Sequence, residues 1–367
     1  MKTKLWMLGA AVVAMTSCTQ SEVVEIPESR VIGFEPFVGK ASRNYTNVAS
    51  VMLAGAGAAP NDLNAFWVYG SFDSDVNTND APTLFTNTHV YWDGNNNAFT
   101  YADPRQWYEG TYYFSAYSDG NNTLNNGVSA DLINRKLTFT NYVNDGNKDL
   151  VAAIPAIINK SEANMSQGVS FHFKHMLACI ELKFTNASTA FALDFTDVKF
   201  IANSVGTCVY TEGNPSSIVW SNQGTSEDYE LKTNTYDPDD DANNNPSVLL
   251  QPGQFARLYC FVIPQNNESV ELSFAIKSYE RKNPTTAPDE TTTYEYHFSS
   301  TEHYKASLKV AEDGTNYKWD AGRLYRYNAE VSGSAHYINF AVQAVDNWNA
   351  DENVEESTMT PGKVQNP

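Results

Sequence analysis

Cationic side chains are scarce in this sequence of 367 residues. Lysine and arginine together number 24, against 43 aspartate and glutamate residues, which gives a formal net charge of −19. A surface of that sign repels nucleic-acid phosphates and anionic lipid headgroups. The composition therefore predicts no nucleic-acid partner and no peripheral binding to membranes, and the charge itself favours solubility.

Catalytic motifs are also missing. The sequence contains no G-x-S-x-G or H-E-x-x-H motif and no glycine-rich phosphate loop. His172 and His175 are close in sequence, but residues three apart on a strand face opposite sides and do not converge on zinc. Abundant carboxylates leave a glycosidase-like pair open, although no segment points to one. We therefore expect no enzyme activity, no cofactor and no metal.

An acidic segment has part of a calcium-loop pattern. Asp237, Asp239 and Asp241 offer carboxylates at the spacing of an EF-hand loop. The sixth position is Ala242 instead of glycine and the twelfth is Val248 instead of glutamate, so the tight turn and the bidentate closure are lost. The pattern predicts a solvated acidic loop.

Cysteine is rare, with four residues in the chain. Apart from Cys18, the sequence has Cys179, Cys208 and Cys260, an odd number that cannot form a complete disulfide set. None belongs to a C-x-x-C pair. The three are expected to be buried free thiols.

Long apolar runs are missing except at the start. Residues 5–15 read LWMLGAAVVAM after two early lysines, a run too short to span a bilayer but suited to a signal peptide. Thr16 and Ser17 then precede Cys18, which resembles a bacterial lipobox. Residues 1–17 are predicted to be a lipoprotein signal peptide and Cys18 the lipidated residue, which places the protein at the cell outer membrane. A plain secretory signal with an incidental cysteine is the alternative.

Alternating apolar and polar residues dominate the rest of the chain. One example is the face shared by Val270, Leu272, Phe274 and Ile276. Segment 301–310 is the best candidate for a helix, and residues 211–247 resemble a long polar loop. The pattern predicts an all-β protein made of two β-sandwiches in series.

A change of phase indicates the domain junction. The apolar residues Phe171 and Phe173 are at odd positions, whereas Ala178 and Ile180 are at even positions. The apolar face of the strand therefore switches sides, and a bulge or break belongs near His175. The boundary is predicted just before it, near residue 168. The predicted segments are a leader at 18–43, domains at 44–168 and 169–348, and a flexible tail at 349–367.

Tryptophan provides the main alternative function. Six tryptophans remain after the signal peptide, and exposed rings can stack on sugars. A monomeric glycan-binding surface lipoprotein would expose Trp92, Trp107 and Trp220 in a cleft. Burial of these rings, together with a first strand peripheral to the core, would favour a structural role instead.

The segment VIGFEPFVGKASR has the features of a first strand at a sheet edge. One face carries four residues, of which the proline donates no hydrogen bond and is best tolerated at an edge: Ile32, Phe34, Pro36 and Val38. Arg43 follows, before the polar Asn44, and is a trypsin-like cleavage point. Removing such a strand would open a groove for strand addition. An ordinary first strand with a basic end is the alternative.

In their order along the chain, several motifs resemble the fimbrillins, the lipoprotein-derived subunits of type V pili, and related Mfa-like surface lipoproteins. The motifs are the lipobox, VIGFEPF with Ala41-Ser42-Arg43, FHFKHMLACIELKFTN, LLQPGQFARLYCFVIPQ and the ending WDAGRLYRYNAEVSGSAHYINFAVQAVDNW. The resemblance implies two tandem transthyretin-like β-sandwich domains without catalytic activity. It also implies proteolytic maturation at Arg43–Asn44, with loss of the first strand and its replacement by a strand of a neighbouring pilus subunit.

The same resemblance implies a fimbrial location, pilus-subunit partners and a host or bacterial surface ligand. One departure concerns the end of the sequence. Shaft subunits of the family carry a further donor strand, whereas residues 349–367 read NADENVEESTMTPGKVQNP with few apolar side chains. A tip, an anchor or a non-polymerising role therefore stays open.

Overall fold

The computed structural model describes residues 30–38, 63–73, 83–96, 98–120, 127–213, 215–230, 250–266, 270–282, 295–308, 318–332 and 337–347. Within these ranges the regular structure is β-strand, with a 3-10 turn at Glu162–Asn164. The prediction of an all-β protein is confirmed. The transthyretin-like topology stays a prediction.

The strands fall into an earlier and a later group along the chain. The first ten are β1 Phe34–Val38, β2 Ala65–Asp73, β3 Thr83–Asp93, β4 Ala98–Tyr101, β5 Gly110–Ser118, β6 Val128–Asp131, β7 Lys136–Val143, β8 Val151–Ala153, β9 Ile158–Lys160 and β10 Val169–His175. They are followed by β11 Ala178–Asn186, β12 Phe191–Thr211, β13 Ser217–Glu230, β14 Phe255–Val262, β15 Gln265–Asn266, β16 Glu271–Lys282, β17 Glu295–Ser307, β18 Lys318–Trp319, β19 Arg323–Ser332 and β20 Tyr337–Asn347.

The first sheet, as far as the chain is described, has the order β1-β10-β8-β5-β2-β3-β4, with β9 paired to β5. β1 runs parallel to β10, whereas β2 pairs antiparallel with both β3 and β5. One face of this sheet is strongly aromatic, and Phe66, Phe114 and Phe171 on it are at most 2% exposed. This face forms the core of the first half of the protein.

Two further sheets form a sandwich in the second half. Among the described strands, one sheet has the order β14-β11-β19-β20, and the other has β17-β16-β12-β7-β6 with β13 paired to β12. The ring of Phe184 on β11 lies 4.6 Å from that of Phe195 on β12 and 5.1 Å from that of Phe274 on β16. These contacts join the inner faces of the two sheets into one core.

The two halves of the chain share strands and a third core. β6 and β7 come from the first half, yet β7 pairs with β12 of the sandwich. Met176 and Leu177 are fully buried in the core at this junction. β10 still pairs with β1 and β8, and β11 opens the sandwich. The pairing therefore puts the change of sheet between His175 and Ala178, where the alternation breaks, after the boundary expected near residue 168.

Two local predictions were wrong. Residues 301–307, expected to begin a helix, belong to β17, which pairs along its length with β16. Part of the expected loop at 211–247 is β13, which forms a hairpin with β12. No helix within the described ranges is long and apolar enough to cross a membrane.

Candidate functional site

β1 lies at the edge of the first sheet, considering the described strands only. Phe34 is opposite Val169 of β10 and Val38 is opposite Phe173. The amide of Val169 donates to the carbonyl of Gly33 at 2.8 Å. In a parallel ladder only every second residue of a strand hydrogen-bonds to a given neighbouring strand. Pro36, which has no amide hydrogen, occupies a position that does not donate to β10.

The residues before β1 are bonded on the opposite side as well. The amide of Ile32 donates to the carbonyl of Arg105 at 2.8 Å, and the amide of Trp107 donates to the carbonyl of Arg30 at 2.8 Å. The phenol of Tyr101 donates to the carbonyl of Ile32 at 2.9 Å. Burial raises the pKa of that phenol, so it remains a protonated donor at neutral pH. The residues that lead into β1 thus lie between β10 and the segment that follows β4.

The side chain of Phe34 occupies the centre of the first core. Its ring is 5% exposed, and its centroid lies 5.4 to 6.4 Å from five other rings, those of Phe66, Phe85, Tyr101, Phe114 and Phe171. In the order of the sheet β1 and β3 are five steps apart, about 24 Å if the sheet were flat. The 5.5 Å separation of the Phe34 and Phe85 ring centroids therefore requires the sheet to curl, so that β1 faces β3 across the core. We call these five rings the aromatic cage.

Neighbouring side chains of the strand follow the alternation. Ile32 is fully buried and Pro36 is buried, whereas Glu35 is exposed. The backbone of Val38 is paired, but its side chain lies outside the described residues. The structure therefore brings together the first three residues of the predicted apolar face.

Several predicted site residues lie outside the described ranges. These are the lipidation residue Cys18, the processing pair Arg43 and Asn44, and the acidic loop around Asp239. Their predicted roles stay predictions.

A buried lysine near the strand could not be found from the sequence. The ammonium of Lys160 donates to the carbonyls of Asn164 and Gln167 at 2.8 and 2.7 Å and lies 4.1 Å from the ring centroid of Trp107. Burial lowers the pKa of this lysine. The contacts fix the turn that leads into β10 against the segment that bonds Ile32. Lys160 therefore supports both sides of the strand.

The tryptophans named for glycan binding have different surroundings. Trp107 is fully buried against Tyr112, with ring centroids 4.7 Å apart. Trp220 is partly buried, and its indole nitrogen donates to the carbonyl of Met176 at 2.8 Å. Trp92 is also partly buried and packs on Phe99, with ring centroids 5.2 Å apart. Burial of Trp107 was expected for a structural role. The accompanying expectation of a first strand peripheral to the core was wrong, because Phe34 lies among five rings in the first core.

The cysteine prediction is confirmed for the described residues. Cys179, Cys208 and Cys260 are buried free thiols, and burial raises the pKa of each well above its ordinary value. His175 is fully buried and bonded to Asp149, while His172 is exposed. The two histidines thus face opposite sides of β10, as expected. Desolvation raises the pKa of the Asp149 carboxyl.

The family is established by comparison with protein-family models. Residues 57–348 match the family described as Fimbrillin-like, which covers most of the chain. This protein therefore belongs to the fimbrillin-like family. No curated protein sequence matches it.

Solved structures give a looser likeness over most of the chain. A fimbrial protein from Bacteroides vulgatus is 16% identical, with 87% of this chain and 99% of that chain covered and a TM-score of 0.48. A protein from Bacteroides uniformis assigned to cell adhesion is 15% identical, with 87% and 97% covered and a TM-score of 0.46. The fimbrial anchor protein Mfa2 from Porphyromonas gingivalis is 10% identical, with 86% and 96% covered and a TM-score of 0.28. The family assignment rests on the family model.

Proposed function

We propose that this chain is a non-enzymatic fimbrial subunit or adhesin that assembles by strand exchange at the cell surface. Its membership of the fimbrillin-like family supports the fimbrial role. Assembly would proceed by removal of β1 and entry of a strand from another pilus subunit. Cys18 would anchor the precursor in the outer membrane, and a host or bacterial surface ligand would be the adhesion target.

The observation that carries the proposal is the position of Phe34. β1 is a short strand at an edge, yet its side chains fill the centre of a core. Burying one such side chain contributes about 1.5–3 kcal/mol. Loss of the strand would leave an apolar trough and a row of unpaired backbone groups, which is a template for strand addition in trans.

Cleavage after Arg43 would separate this strand from the rest of the chain. Arg43 lies five residues beyond the end of β1 at Val38. A cut after Arg30 would act differently, because residues 31–38 would stay attached to the rest of the chain. Only the later site releases the strand.

Brief treatment of the purified precursor with an arginine-specific protease, which leaves the bond after Lys40 intact, tests the proposal. The main new N-terminus should be Asn44, followed by dimers or larger assemblies. The matched control is Arg30→Ala, which should behave like the wild-type protein, whereas Arg43→Ala should block both steps. An Arg43→Ala protein that is processed and assembled on cells like wild type would refute this mechanism.

A further inference from the structure

The groove that β1 occupies has chemical requirements that identify its replacement. One side is the backbone of β10, whose Val169 amide needs an acceptor such as the carbonyl of Gly33. The other side is formed by Tyr101 and Arg105, which bond the carbonyl and the amide of Ile32. A replacement strand must therefore be extended and must not have proline at the position of Ile32.

The side-chain requirement is stricter than the backbone requirement. The aromatic cage surrounds Phe34 with five rings, and Ile32, two residues earlier, is fully buried. A small residue at the position of Phe34 would leave a cavity between rings that cannot collapse fully, because they are held on separate strands. In strand addition the backbone bonds give affinity and the alternate pockets give specificity. The aromatic cage is therefore the pocket that selects which strand can replace β1.

Residues 349–367 do not meet this requirement. Residues 349–367 include no phenylalanine, tyrosine or tryptophan, and their largest apolar side chain is Met359. They also contain Glu355 and Glu356, which an apolar cage would exclude.

We propose that the groove accepts an extended segment of a different polypeptide chain that carries an aromatic side chain two residues after an aliphatic one, parallel to β10, and does not accept residues 349–367 of a second copy. This inference rests on the proposed function and specifies its partner. Strand exchange would then depend on one aromatic side chain that enters the aromatic cage in place of Phe34, which we call the anchor.

Peptide exchange tests the inference without altering the protein. The lipid-free chain, residues 19–367, is cut at Arg43 and incubated with fluorescent peptides, and bound peptide is measured by anisotropy after gel filtration. The probes are residues 30–40, the same peptide with Phe34→Ala, the same peptide with Glu35→Gln as a matched control at an exposed position, and residues 349–367. The wild-type and Glu35→Gln peptides should bind alike. The Phe34→Ala peptide should bind roughly 100-fold or more weakly, and the 349–367 peptide should not compete.

The outcomes separate the inference from the function on which it rests. If the wild-type peptide exchanges but the Phe34→Ala peptide binds within about threefold of it, the anchor is refuted and strand exchange stands. Competition by the 349–367 peptide at the affinity of the wild-type peptide would likewise overturn the choice of partner. If Arg43 is cut and no peptide exchanges, both the proposed function and this inference fail.

Discussion

Phe34→Ala in the intact protein should destabilise the first core far more than the position of Phe34 on an edge strand suggests. The side chain is 5% exposed and has five rings as neighbours. Phenylalanine-to-alanine changes at such sites cost about 3–5 kcal/mol, as the sum of lost transfer free energy and cavity formation. Aromatic pairs contribute about 0.5–1.5 kcal/mol each beyond burial, but they share one ring and do not add.

Hydrogen exchange read by mass spectrometry measures this change locally. A loss of about 3–5 kcal/mol corresponds to a decrease in protection of roughly 150- to 4,000-fold if opening of β1 limits exchange. The decrease should appear in β1 and in the paired residues of β10. Peptides from β16, which belongs to the second core, should keep their protection.

Glu35→Ala is the matched control because Glu35 is exposed on the same strand. Its effect should stay within about 0.5 kcal/mol. Protection of residues 30–38 in Phe34→Ala that remains within threefold of wild type would show that the cage does not hold the strand.

Two further predictions concern residues beyond the described ranges. Cys18→Ser should abolish acylation and release or misprocess the protein, because the thiol is the proposed acceptor; a mutant that still labels with a clickable fatty acid would contradict the assignment. The Asp237 loop should bind calcium no more tightly than the millimolar range of weak extracellular modules, since it lacks the glycine and the closing glutamate. A micromolar site by calorimetry that disappears in Asp239→Asn would show the opposite.

The alternation of apolar and polar residues correctly predicted which side chains of a single strand are buried. Val270, Leu272, Phe274 and Ile276, expected on one face, are all at most 6% exposed. The change of phase near His175 corresponds to the passage from β10 to β11. These strands belong to different sheets, and each sheet buries its apolar face in a different core. These features require only that successive side chains point to opposite sides.

Features that depend on distant pairing were not predictable. Tyr101 and Arg105 bond Ile32 because the first sheet curls, and no local pattern encodes that closure. β13 has the polar composition of a loop and is a strand because β12 supplies its partner. β17 likewise overrides a weak helical pattern, since its pairing with β16 places His303 opposite Ala275 in a long ladder whose register shifts between Ser278 and Tyr279.

Covalent attachment of β1 explains why the groove would stay closed before processing. Residues 39–62 connect Val38 to Leu63, a linker of 24 residues. For a connection of this length, the effective concentration of an attached strand is about millimolar. A competing strand at about 1 μM would therefore be at a disadvantage of roughly a thousandfold against β1 of the same sequence. Cleavage at Arg43 turns β1 into a separate ligand and removes that advantage.

This argument predicts a difference between cut and uncut protein. At about 1 μM protein, the fluorescent peptide of residues 30–40 should bind cut wild type with an apparent affinity roughly a thousandfold higher than it binds uncut Arg43→Ala. The control is Arg43→Ala with a second protease site engineered at the same position, which should recover binding once it is cut. Equal binding to the cut and uncut forms would mean that β1 leaves the groove without proteolysis, and processing at Arg43 would then have no role in opening it.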